Sequence, residues 1–176
     1  MTINVVVIVV LMLLAVGFTG MCSFNPGRPE NGPVQEVDGL TFMSMEARAV
    51  DFAVRFPEMP QGWVNNSARR TTIENQPAPV TGWVTPEEGY LQLTQTGADE
   101  DAALKGIDAS PRTLARTEDV AGHEAKIYTA DYEDVRDVWF VDLGDERILI
   151  TGAAQDAEYR ELIEKVAAAA PLEHAA

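Results

Sequence analysis

One uncharged stretch, residues 5–21 (VVVIVVLMLLAVGFTGM), constrains this chain more than any other feature. With Ile3 ahead of it, the stretch reaches roughly the 17 to 25 residues that cross a bilayer as a helix, the form that satisfies its own backbone hydrogen bonds in hydrocarbon. A cleaved signal peptide has a shorter apolar core, roughly 7 to 15 residues, with small residues before the cut, where Met21 stands here. Lipid modification of Cys22 is a further alternative, although Thr19 and Met21 occupy places where such signals carry Leu and a small residue. The expectation is an uncleaved transmembrane anchor over residues 1–21, ahead of a lipoprotein modified at Cys22 and of plain secretion. All three put the rest of the chain outside the membrane. The first four residues carry no Lys or Arg and the nearest basic residue is Arg28, so the positive-inside rule does not set the orientation. A basic cytoplasmic stretch ahead of Met1 is expected on that ground.

Residues 22–38 hold Pro26, Pro29 and Pro33 with Gly27 and Gly32, a composition that resists helix and strand and reads as an extracytoplasmic spacer. Residues 39–176 then suffice for a single domain with its own core. The formal charge of −15, from 28 acids against 13 bases, leaves no basic stripe for nucleic acid and no basic face for anionic lipid headgroups. Such acidity keeps a tethered domain soluble and clear of a negatively charged surface. Cys22 is the single cysteine, which rules out an intrachain disulfide and a cysteine zinc site.

Within the domain, Leu40, Met43, Ala47 and Val50 fall at helical spacing over residues 39–50. Residues 51–56 alternate, Phe52, Val54 and Phe56 against Asp51, Ala53 and Arg55, which predicts a half-buried strand ended by Pro57 and Pro60. Another strand is expected at 69–74. A hairpin of 80–85 and 89–95 turns at Pro86-Glu87-Glu88-Gly89, with Gly89 expected in the left-handed position. Residues 98–106 read as a helix with acids first, Lys105 late and Gly106 as its stop. Strands follow at 123–130, 136–143 and 146–151, the last two joined at Gly144-Asp145. Unbroken apolar runs at 138–141 and 148–150 call for cover on both faces of the sheet. A helix over 156–170, with Tyr159, Leu162, Ile163, Val166 and Ala170 on one stripe, is expected to cover one face and the helix near residue 45 the other. The pattern predicts an α+β domain, a mainly antiparallel sheet with helices packed on it.

Chemistry-bearing residues are sparse. The chain has two histidines, His123 at a strand start and His174 in the C-terminal tail, and no G-x-S-x-G elbow or phosphate-cradling glycine loop. Asp99-Glu100-Asp101 reads as the acidic first turn of a helix, and Asp131, Glu133 and Asp134 as a solvated turn. Glu87, Glu88, Asp142 and Glu146 are the carboxylates from which an acid/base pair would be drawn, but spacing alone selects none of them. Trp83 and Trp139 lie within strands and are expected in the core; Trp63, in a Pro/Gly loop, is the candidate surface ligand contact. Asn65-Asn66-Ser67 matches a glycosylation acceptor. No catalytic, cofactor-binding or metal residue is assigned. The expected function is that of a noncatalytic envelope module that binds another protein or an envelope component; the alternatives are a cell-wall or lipid hydrolase using unidentified carboxylates and a small-ligand or lipid carrier.

The segments C-S-F-N-P-G (22–27), G-P-V-Q-E-V-D (32–38), V-R-F-P-E-M-P-Q-G-W (54–63) with Asn66-Ser67, G-W-V-T-P-E (82–87), Y-L-Q-L (90–93), V-W-F-V-D-L-G (138–144) and I-L-I-T-G (148–152) resemble the actinobacterial domain of unknown function 4245 family. The resemblance implies one N-terminal membrane segment, preceded in typical members by a basic stretch, and an extracytoplasmic domain on a single-pass cell-membrane protein. It implies no activity, cofactor or catalytic residue. The order of strands and helices is also similar, more loosely, to the Mog1/PsbP-like sandwich of some envelope lipoproteins, a likeness of fold that carries no function.

Overall fold

The computed structural model describes residues 34–173, apart from 109 and 133, together with Val5, Val6 and Ile8. Most of the expected anchor, Cys22, most of the spacer, Glu133 and His174 lie outside the described residues. The chain divides into two units, Met1–Pro33 and Val34–Ala176. In the first, Val5, Val6 and Ile8 are helical and exposed. Among the described residues no helix is long and apolar enough to cross a membrane.

The second unit is built on helix α1 (Gly39–Ala47), strands β1 (Val64–Ile73), β2 (Gln76–Val84) and β3 (Tyr90–Thr96), helix α2 (Glu100–Ile107), strands β4 (Thr113–Val120), β5 (His123–Thr129), β6 (Val138–Asp142) and β7 (Arg147–Ala153), and helix α3 (Asp156–Ala168). All seven strands join one sheet in the order β1-β2-β3-β7-β6-β5-β4, and every neighbouring pair is antiparallel. The expected α+β class with an antiparallel sheet is therefore what forms.

Register sorts the apolar runs between the two faces. Trp139 pairs with Ile150 and Ile127, and Leu93 with Ile150, so these side chains share a face, which α3 covers with Tyr159, Leu162, Ile163 and Val166. Val138, Phe140 and Leu149 point the other way and pack under Ala103 of α2. The expectation that the helix near residue 45 covers this second face is corrected. Glu46 of α1 holds Arg70 in a bidentate ion pair at 2.7 and 2.8 Å, and Arg70 pairs with Pro79 on the α3 face. Thus α1 lies on the same side of the sheet as α3.

Five local expectations are also revised. Residues 51–56 form no strand: Phe52, Ala53 and Val54 are all buried, and the backbone of Arg55 is hydrogen-bonded by a side chain, giving and taking 2.7 Å bonds with the carboxamide of Gln95. One isolated bridge, Arg55 to Pro171, is the remnant of pairing there. Residues 64–68, polar in sequence, belong to β1, which turns into β2 through Glu74 and Asn75, both at positive φ. The largely exposed β4 completes the sheet edge, where side-chain burial is not needed to hold a strand that pairs through its backbone. In the β2–β3 turn it is Glu88, at φ 59°, that takes the left-handed conformation, not Gly89. Gly106 does not stop α2, which runs on to Ile107; it sits where a Cβ would press into the Ile73 side chain.

Candidate functional site

The recognisable site grows from an irregularity in β1. Asn65 pairs with Trp83 and Ser67 with Gly82, which leaves Asn66 as an extra residue, a bulge of the kind that re-aims side chains and interrupts the ladder. The Asn65 carboxamide repairs the interruption: Nδ2 donates to the carbonyls of Ser67 at 3.2 Å and Gly82 at 2.9 Å. Its backbone carbonyl accepts from the Val37 amide at 2.9 Å, which ties the stretch before α1 to the outer edge of β1. Asp38 then caps α1, accepting from the Thr41 amide at 3.0 Å, and hydrogen bonding from the Thr41 side chain, with that amide bond beside it, holds its carboxyl below the ordinary range. At Gly39, the first residue of α1, a Cβ would collide with the Asn65 carboxamide oxygen and the Phe56 ring. Glycine lets the helix start this close to β1.

Between these parts lies an open groove of about 530 Å³. Phe56, Trp63 and Trp83 give it an aromatic floor, with Phe56 and Trp83 5.3 Å apart between ring centroids and tilted by 37°. Met59 adds a thioether. Glu36, Asp38 and Glu58, all exposed, supply its charges, and no Lys, Arg or His lines it. Trp63 is not the free-standing surface ring expected from its loop: it is 8% exposed, belongs to the core, and its indole N–H donates to Glu161 at 3.2 Å. It reaches the groove as part of a wall. Trp83 and Trp139 are core residues, as expected. Asn65 Oδ1 is buried at the groove wall with no hydrogen-bond partner.

A second cluster lies next to it in sequence and is closed. Arg55 meets the Asp145 carboxylate with two bonds of 2.9 and 3.0 Å, the carbonyl of Ala169 at 3.0 Å, and Glu146. Glu146 is fully buried, and burial raises its pKa to about 7 against the opposing pull of Arg55. Asp145, half exposed, is held low by Arg55. The two acids of one hairpin turn thus titrate apart, a pattern common in catalytic pairs and equally in structural plugs. Here the shifted acid has no exposed surface, so no substrate reaches it.

The remaining candidates stay scattered. Glu87 and Glu88 are exposed on the β2–β3 turn, while Asp142 pairs with Arg147 at 3.3 Å. Asp99 caps α2 through the Ala102 amide, and Glu100 accepts from Lys126 at 2.6 Å and from Tyr128, so the acidic run serves the helix start and its docking. Asp131 and Asp134 are exposed, and His123 is half-buried at the start of β5. Among the described residues no cluster of three or more His, Cys, Asp or Glu is arranged to hold a metal ion. The glycosylation match falls on Asn65, whose side-chain nitrogen is buried and already bonded twice. Sequence reasoning missed the groove because its walls are distant in the chain; it also passed over Arg55, whose partners lie about ninety residues away.

Fold and site together define an α+β domain with an aromatic, acid-rimmed groove at one end of the sheet. The chain belongs to the family described as protein of unknown function (DUF4245), whose model matches residues 1–166. No curated protein and no solved structure matches it. Three of the segments that carry the family resemblance, 32–38, 54–63 and 82–87, contribute residues to the groove.

Proposed function

We propose that this protein is a noncatalytic binding module of the cell envelope, carried by a single N-terminal membrane anchor with its domain outside, and that it engages its partner through the groove beside α1. The observation that carries this reading is the groove's composition: three aromatic rings, a rim of carboxylates and a buried acceptor without a partner, in a concavity open to solvent. Aromatic surface of this kind supplies most of the contact energy at recognition sites. The anchor is supported by the uncharged run of residues 5–21 and by a family match that extends over it. The looser Mog1/PsbP-like likeness belongs to the same proposal, supported by an antiparallel sheet with helices on both faces.

The hydrolase alternative draws on Glu146, the acid with its pKa raised to about 7, but a general acid must come within hydrogen-bond reach of its substrate and Glu146 is sealed behind Arg55. The carrier alternative needs space between sheet and helix, where Trp139, Leu162 and Ile163 are packed. The test is crosslinking in intact cells from a photoreactive residue at position 58, in the groove rim, with position 132, exposed elsewhere, as control. Capture of a defined envelope component from position 58 and not from 132 is expected; equal capture from both, or protection of the domain from protease added outside, overturns the proposal.

A further inference from the structure

Resting on the groove reading above, we propose that the groove takes the guanidinium of an arginine side chain presented by a partner polypeptide. Charge is the first ground. Glu36, Asp38 and Glu58 face the groove with no basic residue among them, in a chain of net charge −15 whose field draws cations in. Chemistry of the floor is the second. Trp63, Trp83 and Phe56 offer π faces, and a planar, weakly hydrated guanidinium stacks on such rings while keeping its N–H groups for acceptors. The third ground is Asn65. It is 5% exposed, both of its amide-nitrogen bonds are spent on the β1 bulge, and Oδ1 is left at the groove wall as a buried acceptor without a donor. Such an atom is costly unless something donates to it.

These grounds act in one place. The Asn65 oxygen and the edge of the half-buried Phe56 ring both crowd the place a Cβ on Gly39 would take, and all three residues line the groove. An N–H of the guanidinium then meets Oδ1 while the others meet the rim carboxylates. An anion would face three carboxylates here, and a neutral group would leave them without a counter-charge. The volume of about 530 Å³ suits one long side chain with its flanking backbone, and the open side lets the polypeptide run in and out.

The test uses the full chain in uncharged detergent micelles and three blocked tripeptides with central arginine, citrulline or glutamate, read by the indole NMR signals of Trp63 and Trp83. The arginine peptide should shift both signals saturably. Citrulline, the same shape without the charge, should bind at least about tenfold more weakly, as loss of charge-assisted bonds requires. The double change Glu36→Gln with Glu58→Gln should weaken the arginine peptide severalfold and flatten its salt dependence with no change in melting temperature. Equal binding of citrulline and arginine, binding indifferent to the rim changes, or no shift at millimolar arginine peptide each overturns the proposal. Envelope extract applied to the same sample keeps the two readings apart. Extract that moves these indole signals when the arginine peptide does not leaves the groove reading standing and removes the arginine; extract that leaves them unmoved removes the groove reading too.

Discussion

Arg55 and Phe56 are neighbours in the chain with opposite fates. Arg55 turns inward to a plug in which Asp145, Glu146 and the Ala169 carbonyl take up its guanidinium, and the plug is closed to solvent on the Glu146 side. Phe56 turns toward an open groove whose carboxylates have no cation among its walls and whose buried Asn65 oxygen has no donor. The two regions hold the same kinds of groups, acids beside a buried amide, and differ in whether the chain supplies the positive partner. Where it does, charge becomes structure, locking residues 51–56 to the β6–β7 turn and the end of α3. Where it does not, the same chemistry is left for a partner.

If that contrast is right, the largest effect comes from breaking the plug. Arg55→Ala leaves Glu146 buried and unpaired and should cost about 3–5 kcal/mol in urea unfolding; a loss under about 1 kcal/mol means the plug is ornamental. Next is the pH dependence of the same acid. Glu146 holds its proton more tightly folded, with pKa about 7, than at its ordinary 4.5, so the stability it contributes is full below the lower value and is lost as pH rises through the higher one. Over that window the wild type should lose on the order of 3 kcal/mol relative to Glu146→Gln, which has no such slope; parallel stability curves for the two proteins contradict the assignment. A smaller effect is expected at the groove wall. Gly39→Ala drives a methyl into the Asn65 carboxamide and Phe56 and should destabilise by about 1–3 kcal/mol while shifting the Trp83 indole resonance; an unchanged spectrum would show that the contact is loose. Smallest of all, Glu58→Gln on the rim should change stability by less than about 0.5 kcal/mol in thermal unfolding. A larger loss there would make the rim part of the fold and not a surface held for a partner.

Much of the sheet was legible because its signals are local. The unbroken runs at 138–141 and 148–150 imply strands covered on both faces, Gly144-Asp145 implies their hairpin, and Tyr159, Leu162, Ile163 and Val166 mark the buried stripe of α3. What local signals miss is pairing decided elsewhere. β4 is mostly exposed, with Val120 its one buried residue, and exists because β5 offers it a ladder; residues 51–56 alternate like a strand, yet at Arg55 the backbone bonds go to the side chain of Gln95. The groove was partly legible. Trp63 stood out by its loop, but its burial against Glu161 and its meeting with Trp83, Phe56 and the start of α1 depend on contacts from distant positions.

By itself the sequence determined the α+β class, the antiparallel hairpins and the amphipathic helices, since hydrophobic period and turn chemistry act over a few residues. Only the tertiary structure decided that α1 and α3 share a face, that Glu146 is sealed by Arg55, and that three acids surround an aromatic groove holding an unanswered amide. Burial and charge compensation are properties of a site in space, set by which distant residues arrive there.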